Sequence, residues 1–237
     1  MRKPIILSLI LTGIFFILPL NKNLAFAKTA FVSFNKTFIE NTSLLFDELH
    51  LSEAGMSPNV FNTAMQGLQK LNEKNEIKRN DIITIIDFSQ PSNKKRLYVL
   101  DLLNKQILFN TLVAHGRNSG TLWAKSFSNS PSSLKSSLGF YVTRDTYMGD
   151  NGYSLHLDGL EKSINDNARK RAIVMHGAPY VDESAINAKG FIGRSWGCPA
   201  IPQVSRDQVI NTIKDGTCLF IYSSNKNYLQ RSPVLNS

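Results

Sequence analysis

Cys198 lies in Gly193-Arg194-Ser195-Trp196-Gly197-Cys198-Pro199, where glycine frees the backbone to turn and proline removes a ladder donor just after the thiol. Successive N–H groups in such a turn can converge on one point, as an oxyanion site beside a nucleophile requires. A free thiol titrates at about 8.5, so at neutral pH it needs a base or aimed dipoles to attack anything. His176 is the best-placed base. Ala172-Ile173-Val174-Met175 reads as a central strand buried on both faces, and it delivers His176-Gly177 at its C-terminal end. A histidine leaving a rigid strand is held firmly, and Gly177 leaves room for a substrate or for a backbone carbonyl to orient the ring.

The remaining candidates carry less. His115, in Val113-Ala114-His115-Gly116-Arg117, enters a serine-rich stretch over 119–137 and either lines a cleft or is an ordinary loop histidine. His156 alternates with Ser154 and Asp158 on the polar face of a strand and reads as solvated, and His50 reads as structural. No two of His115, His156, His176 and Cys198 share the short spacing of metal ligands, so no metal is expected. Cys218, inside the apolar run Thr217-Cys218-Leu219-Phe220-Ile221-Tyr222, reads as a small buried hydrophobe. The alternative for the two cysteines is a Cys198–Cys218 disulfide, which would make the chain a non-enzymatic binding module.

The elements that must position these residues change character along the chain. Residues 28–80 read as a helical N-terminal segment, with Ser57-Pro58 as N-cap and first helical position ahead of a stripe of Val60, Phe61, Ala64, Met65, Leu68 and Leu71. From Asp81 the period is that of strands: 82–86, 97–100 and 107–113 form an antiparallel meander, with further strands at 139–143, 153–158, 172–175 and 217–222. Ser205-x-x-Gln208 reads as a capping box opening a helix that turns Val209, Ile210 and Ile213 inward. Residues 81–224 are thus the expected catalytic domain, and 225–237 a flexible tail.

Composition bounds what such a domain can be. The chain has 237 residues, 42% hydrophobic, with 27 Lys+Arg against 18 Asp+Glu and two Cys, which excludes a disulfide miniprotein and a disordered chain. Arg2 and Lys3 precede an apolar run from Ile5 to Leu20 and an Ala25-x-Ala27 site, the grammar of a secretory signal peptide over 1–27. Retention as an anchor is the alternative to cleavage. The run is shorter than the roughly 20 residues of a membrane span, so no stable span is expected after cleavage. Cleavage removes three basic residues and no acid, lowering the net charge from +9 to +6. Export to the periplasm or cell envelope excludes nucleic acid as a partner and reads the remaining charge as affinity for an anionic wall or membrane surface.

Met175-His176-Gly177, followed by Gly193 to Pro199, resembles the YkuD-like L,D-transpeptidases, cysteine enzymes of the bacterial cell wall. Ser137-Leu138-Gly139-Phe140-Tyr141 is similar to the family's Thr-Pro-x-Gly-x-Phe strand. With Ala114-His115-Gly116 and Ser195-Trp196-Gly197-Cys198-Pro199, the mature chain is most similar to the murein L,D-transpeptidase catalytic domain branch, over about 82–222. The resemblance implies a mainly β catalytic domain, a sandwich or barrel with a deep cleft, behind a helical appendage. It implies Cys198 as nucleophile, His176 as base, the Gly177 carbonyl orienting the ring, and an oxyanion hole from the N–H groups of Cys198, Gly197 and Trp196. No cofactor is implied. The implied substrates are peptidoglycan stem peptides, cleaved between the diamino acid and D-alanine through a thioester that an amine resolves to a 3→3 cross-link, and carbapenems are implied inhibitors at Cys198.

Two departures from the family pattern matter. Trp196 stands where the motif usually has His, and Pro199-Ala200 where it usually carries an Arg. Recognition of the substrate carboxylate then falls to Arg194 or Arg117, with Ser195, His115 and Tyr141 as further substrate-binding candidates. The spacer between His176 and Cys198 is longer than usual, which implies an inserted lid around 180–190. An L,D-carboxypeptidase or another cell-wall cysteine peptidase remains the alternative enzyme, although papain-like peptidases place Cys before His and sortases separate His and Cys further.

Overall fold

The computed structural model describes residues 40–236, so the signal segment lies outside the described residues. A first helix, α1 (residues 40–48), leads to α2 (Pro58–Glu73), which starts as its sequence requires. The Ser57 hydroxyl accepts from Val60 N–H at 3.4 Å, and Pro58 occupies the first helical position, where its missing N–H costs nothing. The buried face of α2 holds Val60, Phe61, Ala64, Leu68 and Leu71. Phe46 of α1 meets Phe61 with ring centroids 5.8 Å apart, so the two helices share one apolar contact.

Eight strands follow: β1 (Arg79–Asp87), β2 (Leu97–Asp101), β3 (Gln106–Thr111), β4 (Gly139–Gly149), β5 (Gly152–Gly159), β6 (Val174–Ala178), β7 (Ala200–Pro202) and β8 (Thr217–Tyr222). They form one sheet in the order β3-β2-β1-β8-β4-β5-β6-β7. β1 with β8 and β6 with β7 are parallel, and every other neighbouring pair is antiparallel. The chain leaving β3 then crosses to the opposite edge, where Ala114 N–H donates to the Ala200 carbonyl at 2.8 Å. That contact nearly closes the sheet into a barrel and pairs part of the β7 edge. The fold is the mainly β class with helical additions that the sequence implied.

α2 and the helix α4 (Arg206–Ile213) both pack on β1, which explains why Ile82, Ile83, Ile85 and Ile86 are buried on both strand faces. Gly67 of α2 lies directly on the Phe140 ring, and Phe140 stacks on Phe220 at 4.1 Å. The helix is therefore seated on the sheet through an aromatic stack.

Several expectations are corrected. The strand expected at 172–175 is β6, shifted to Val174–Ala178 and lying next to the edge, while Ala172 has a left-handed φ of 52°. Ser205 does not cap α4 with its side chain. Its hydroxyl donates to the Pro202 carbonyl at 3.3 Å, because a 3₁₀ turn over Gln203–Ser205 feeds the helix. The spacer before Cys198 contains a short helix, α3 (Glu183–Lys189). The expected flexible tail instead forms α5 (Lys226–Arg231) and packs. Buried Glu161 accepts from Phe140 N–H at 2.7 Å, from the Tyr228 hydroxyl at 3.1 Å and from the Ser232 hydroxyl, tying the tail to β4.

Alanine at position 67 would gain about 1 kcal/mol of helix propensity but would drive a methyl into the fixed Phe140 ring. Overpacking costs about 1–3 kcal/mol, so Gly67→Ala is expected to lower Tm at roughly 2–4 °C per kcal/mol of net loss. Thermal melting checks it. An unchanged or higher Tm would mean that the ring gives way.

Candidate active site

The register of β6 and β7 builds the site. His176 pairs with Ala200, so Cys198, two residues earlier in the parallel neighbour, comes to lie beside Val174. The preceding turn is braced from inside: the Ser195 hydroxyl accepts from Gly197 N–H at 3.1 Å and donates to the Cys198 carbonyl at 2.6 Å. From outside, the Ser136 hydroxyl donates to the Gly197 carbonyl at 3.1 Å. Gly197 has φ +132°, and a Cβ there would meet the Lys135 carbonyl at 2.9 Å, so glycine is required on both counts. The 115–117 segment completes the support: Ser195 N–H donates to the His115 carbonyl at 3.0 Å, and Arg117 N–H to the Ser195 carbonyl at 2.8 Å.

His176 is buried, with Nδ1 at 3.0 Å from the Gly177 carbonyl. A carbonyl can only accept, so this contact puts the proton on Nδ1 and leaves the Nε2 lone pair bare. Burial holds the imidazole below its ordinary pKa, against a smaller opposing effect of the Gly177 carbonyl. The ring is thus a neutral base at physiological pH.

Burial pushes the Cys198 thiol up, while the Val174 N–H, Arg171 and the N–H of Cys198 itself pull it down. The thiol donates to the Ala172 carbonyl at 3.6 Å. At rest the two groups are therefore a thiol and a neutral imidazole. Both groups line one cleft of about 790 Å³, walled by Tyr147 and Asp150 of the β4–β5 hairpin and by Tyr180, Arg194 and Trp196. A second cavity of about 260 Å³ lies beyond Trp196, sharing Tyr180, Arg194 and Trp196 and adding Arg117, Lys189 and Phe191.

The other expected site residues separate. Arg194 faces both cavities, and Arg117 faces only the smaller one. Ser195 lines the cleft, but its hydroxyl is occupied as the brace of the turn. Gly197 N–H is committed to that hydroxyl, so it is not a free oxyanion donor, and Trp196 and Cys198 N–H remain from the expected three. His115 is not a cleft residue. It is fully buried, with Nδ1 at 2.8 Å from Arg96 Nη2, and burial and the Arg96 charge bring its pKa down to about 4. It serves the site through its backbone carbonyl. Tyr141 is also withdrawn from the cleft: fully buried, its hydroxyl lies 2.8 Å from that of Ser137 and its ionisation is pushed far up by burial. Both cysteines are free, which overturns the disulfide module, and Cys218 is fully buried.

Sequence reading missed Arg171, Tyr147, Asp150 and Tyr180, all in the cleft wall. Arg171, at the end of the basic run Arg169-Lys170-Arg171, had one available signal: it stands immediately before the apolar segment that delivers His176.

A thiol and a neutral imidazole opening to one cleft beside a glycine turn are the working parts of a cysteine acyl-transfer enzyme. The L,D-transpeptidase catalytic domain family matches residues 52–222, and the chain belongs to that family. The matched stretch includes α2 as well as the sheet. No curated protein matches the chain. Among solved structures, the helical cell shape determining protein Pgp2 of Campylobacter jejuni is 16% identical, with TM-score 0.41 over 68% of this chain and 57% of that one. An L,D-transpeptidase from Mycobacterium tuberculosis H37Rv is 12% identical, with TM-score 0.38 over 60% of this chain and 58% of that one. One from Stackebrandtia nassauensis is 13% identical, with TM-score 0.36 over 70% and 68%. The chain spans about three fifths of the first two of these.

Imidazole NMR titration of the folded protein is expected to place the His176 midpoint below the ordinary value of about 6.5 and that of His115 at about 4. A depressed pKa keeps the His176 base neutral to more acidic pH, so a midpoint at or above the ordinary value contradicts the site. A disulfide reagent should label one thiol, and none in Cys198→Ala.

Proposed function

We propose that this protein is an exported cysteine transpeptidase that cleaves the bond between the diamino acid and D-alanine of a peptidoglycan stem peptide and transfers the acyl group to an amine. The observation that carries the reading is that a partly exposed Cys198 thiol and a His176 ring whose Nε2 is bare line one cleft. As the scissile carbonyl enters, the Cys198 proton passes to Nε2 and the sulfur attacks the carbonyl carbon. The oxyanion is met by the N–H groups of Cys198 and Trp196. The imidazolium then returns its proton to the departing D-alanine amine, leaving a thioester and a neutral ring. An incoming side-chain amine attacks the thioester, its proton is taken by Nε2 and returned to the sulfur, and a 3→3 link results. Water in place of the amine gives carboxypeptidation.

The smaller cavity supports a place for substrate carboxylates. Its lining contains Arg117, Lys189 and Arg194 and no Asp or Glu, and it adjoins the cleft through Arg194 and Trp196. Residues 1–27 read as the export signal that brings the enzyme to the cell envelope. Among the described residues no helix is long and apolar enough to cross a membrane.

Incubation of the protein with disaccharide tetrapeptide, followed by mass analysis, tests the reaction. Cross-linked dimers lacking one D-alanine are expected, whereas tripeptides alone would replace transfer by hydrolysis. A carbapenem, whose strained amide is open to the same thiolate, is expected to add once per protein and not at all to Cys198→Ala. An adduct that survives this substitution would remove Cys198 from its role.

A further inference from the structure

Arg171 is fixed by four hydrogen bonds to the serine-rich loop. Nη1 donates to the Ser128 carbonyl at 2.8 Å and the Ser137 hydroxyl at 3.1 Å, and Nη2 to the Ser133 hydroxyl at 3.3 Å and the Lys135 carbonyl at 2.5 Å. All four acceptors are uncharged. Among the described residues no carboxylate forms an ion pair with it. The guanidinium also abuts the nucleophile turn, with Nη2 3.3 Å from where a Gly197 Cβ would stand, and it lines the cleft together with Cys198.

We propose that Arg171 is the positioning residue for the Cys198 thiolate, a cation held unneutralised by a cradle of serine hydroxyls and carbonyls so that its charge is available to the sulfur when the proton leaves. The inference rests on Cys198 being the nucleophile. In the step concerned the S–H bond breaks, the proton goes to His176 Nε2, and the new negative charge faces Arg171.

Two alternatives fail on the geometry. Arg171 is not poised to grip a substrate carboxylate in a bidentate fork, because the four Nη hydrogens such a grip draws on are already spent. Nor is its charge balanced by a buried anion. Tyr141, the ionisable group behind it, is kept neutral by its own burial. Burial dominates at both groups, lowering the Arg171 pKa and raising that of the Cys198 thiol; against it, Tyr141 and then Cys198 act to hold the Arg171 proton, and the Val174 N–H and then Arg171 pull the thiol down.

The other groups around the sulfur do not duplicate this role. His176 on β6 is neutral at rest, and Tyr180 past its end is pushed up to about 12, chiefly by burial. Arg194, in the preceding turn, is exposed and donates to the Gly120 carbonyl at 3.2 Å. From the hairpin, Tyr147 brings a phenol and Asp150 a negative charge, which opposes a thiolate. The composition of the loop then has a reason: an acid in place of Ser133 or Ser137, whose hydroxyls hold the guanidinium, would neutralise it.

The test is the rate of Cys198 alkylation by iodoacetamide against pH. Thiolate sulfur displaces iodide, and Cys218 stays silent because it is fully buried. A nearby opposite charge moves a pKa by about 1–3 units. Arg171→Gln is therefore expected to raise the midpoint by at least one unit and cut the rate at pH 7 roughly tenfold, with the rate at high pH retained. Arg171→Lys, which keeps the charge and loses part of the hydrogen bonding, should stay within about threefold of wild type. A glutamine variant whose profile superimposes on wild type overturns the proposal, as does a lysine variant that loses as much as glutamine. If the glutamine variant does not fold, Ser133→Asp decides, since a carboxylate on the guanidinium must raise the midpoint and an unmoved midpoint refutes the role. A wild-type protein whose Cys198 fails to alkylate at any pH would refute the nucleophile reading itself.

Discussion

Three residues of β7 hold the barrel and the site together. Ala200 pairs with His176 on one side and receives the Ala114 N–H on the other, so the same backbone that nearly closes the sheet fixes His176 beside the Cys198 turn. A residue with two strand neighbours has no freedom to slide, and a shift of one residue would turn Cys198 to the opposite face. The small core beneath joins Leu112, Val181 and Ile192 with Ala114, Ala178 and Ala200, and its alanines stand on the three neighbouring backbones, where a short side chain permits close approach. His115 and Ser195 belong to the same construction through their main chains. Their types suggested chemistry, but their work is structural.

Burial sets the electrostatics of this arrangement. Desolvation disfavours the charged forms of both His176 and Cys198, so the resting site is neutral and the base is ready without acid being excluded from solution. The same burial would make a thiolate–imidazolium pair costly unless fixed dipoles and charges awaited it. The Val174 and Cys198 N–H groups are such dipoles, and Arg171 is the nearby fixed charge.

Much of this was legible in the sequence, for reasons that can be named. The β1, β2 and β8 runs are apolar on both faces and bounded by polar turns, and α2 announces itself through Ser57-Pro58 and a regular stripe. Cys198 and His176 could be picked out because a glycine adjoins each: Gly197 takes φ +132°, and Gly177 leaves the space that Gln203 and Arg206 fill. What was hidden depends on long-range contact. β7 is only three residues long and carries no periodicity, α5 looks like a polar tail until Glu161 is brought beside Tyr228 and Ser232, and Ser205 is diverted by a 3₁₀ turn. His115 illustrates the general limit: residue type and strand-end position suited a cleft, but Arg96, 19 positions away, claimed its ring.

Trp196 brings these strands of argument together. It replaces a polar motif residue, yet it is 74% exposed, so it is not there to fill the core. Its indole, with Arg194 and Tyr180, lines both the cleft and the smaller basic cavity. An exposed aromatic wall in that place keeps apolar surface in water, which is unfavourable for the isolated fold and is offset when a ligand covers it. Core packing does not account for that side chain, whereas Gly197 next to it is explained by the backbone. Adjacent residues of one turn thus answer to two different constraints: the Gly197 main chain to the barrel, the exposed Trp196 side chain to the cleft it walls.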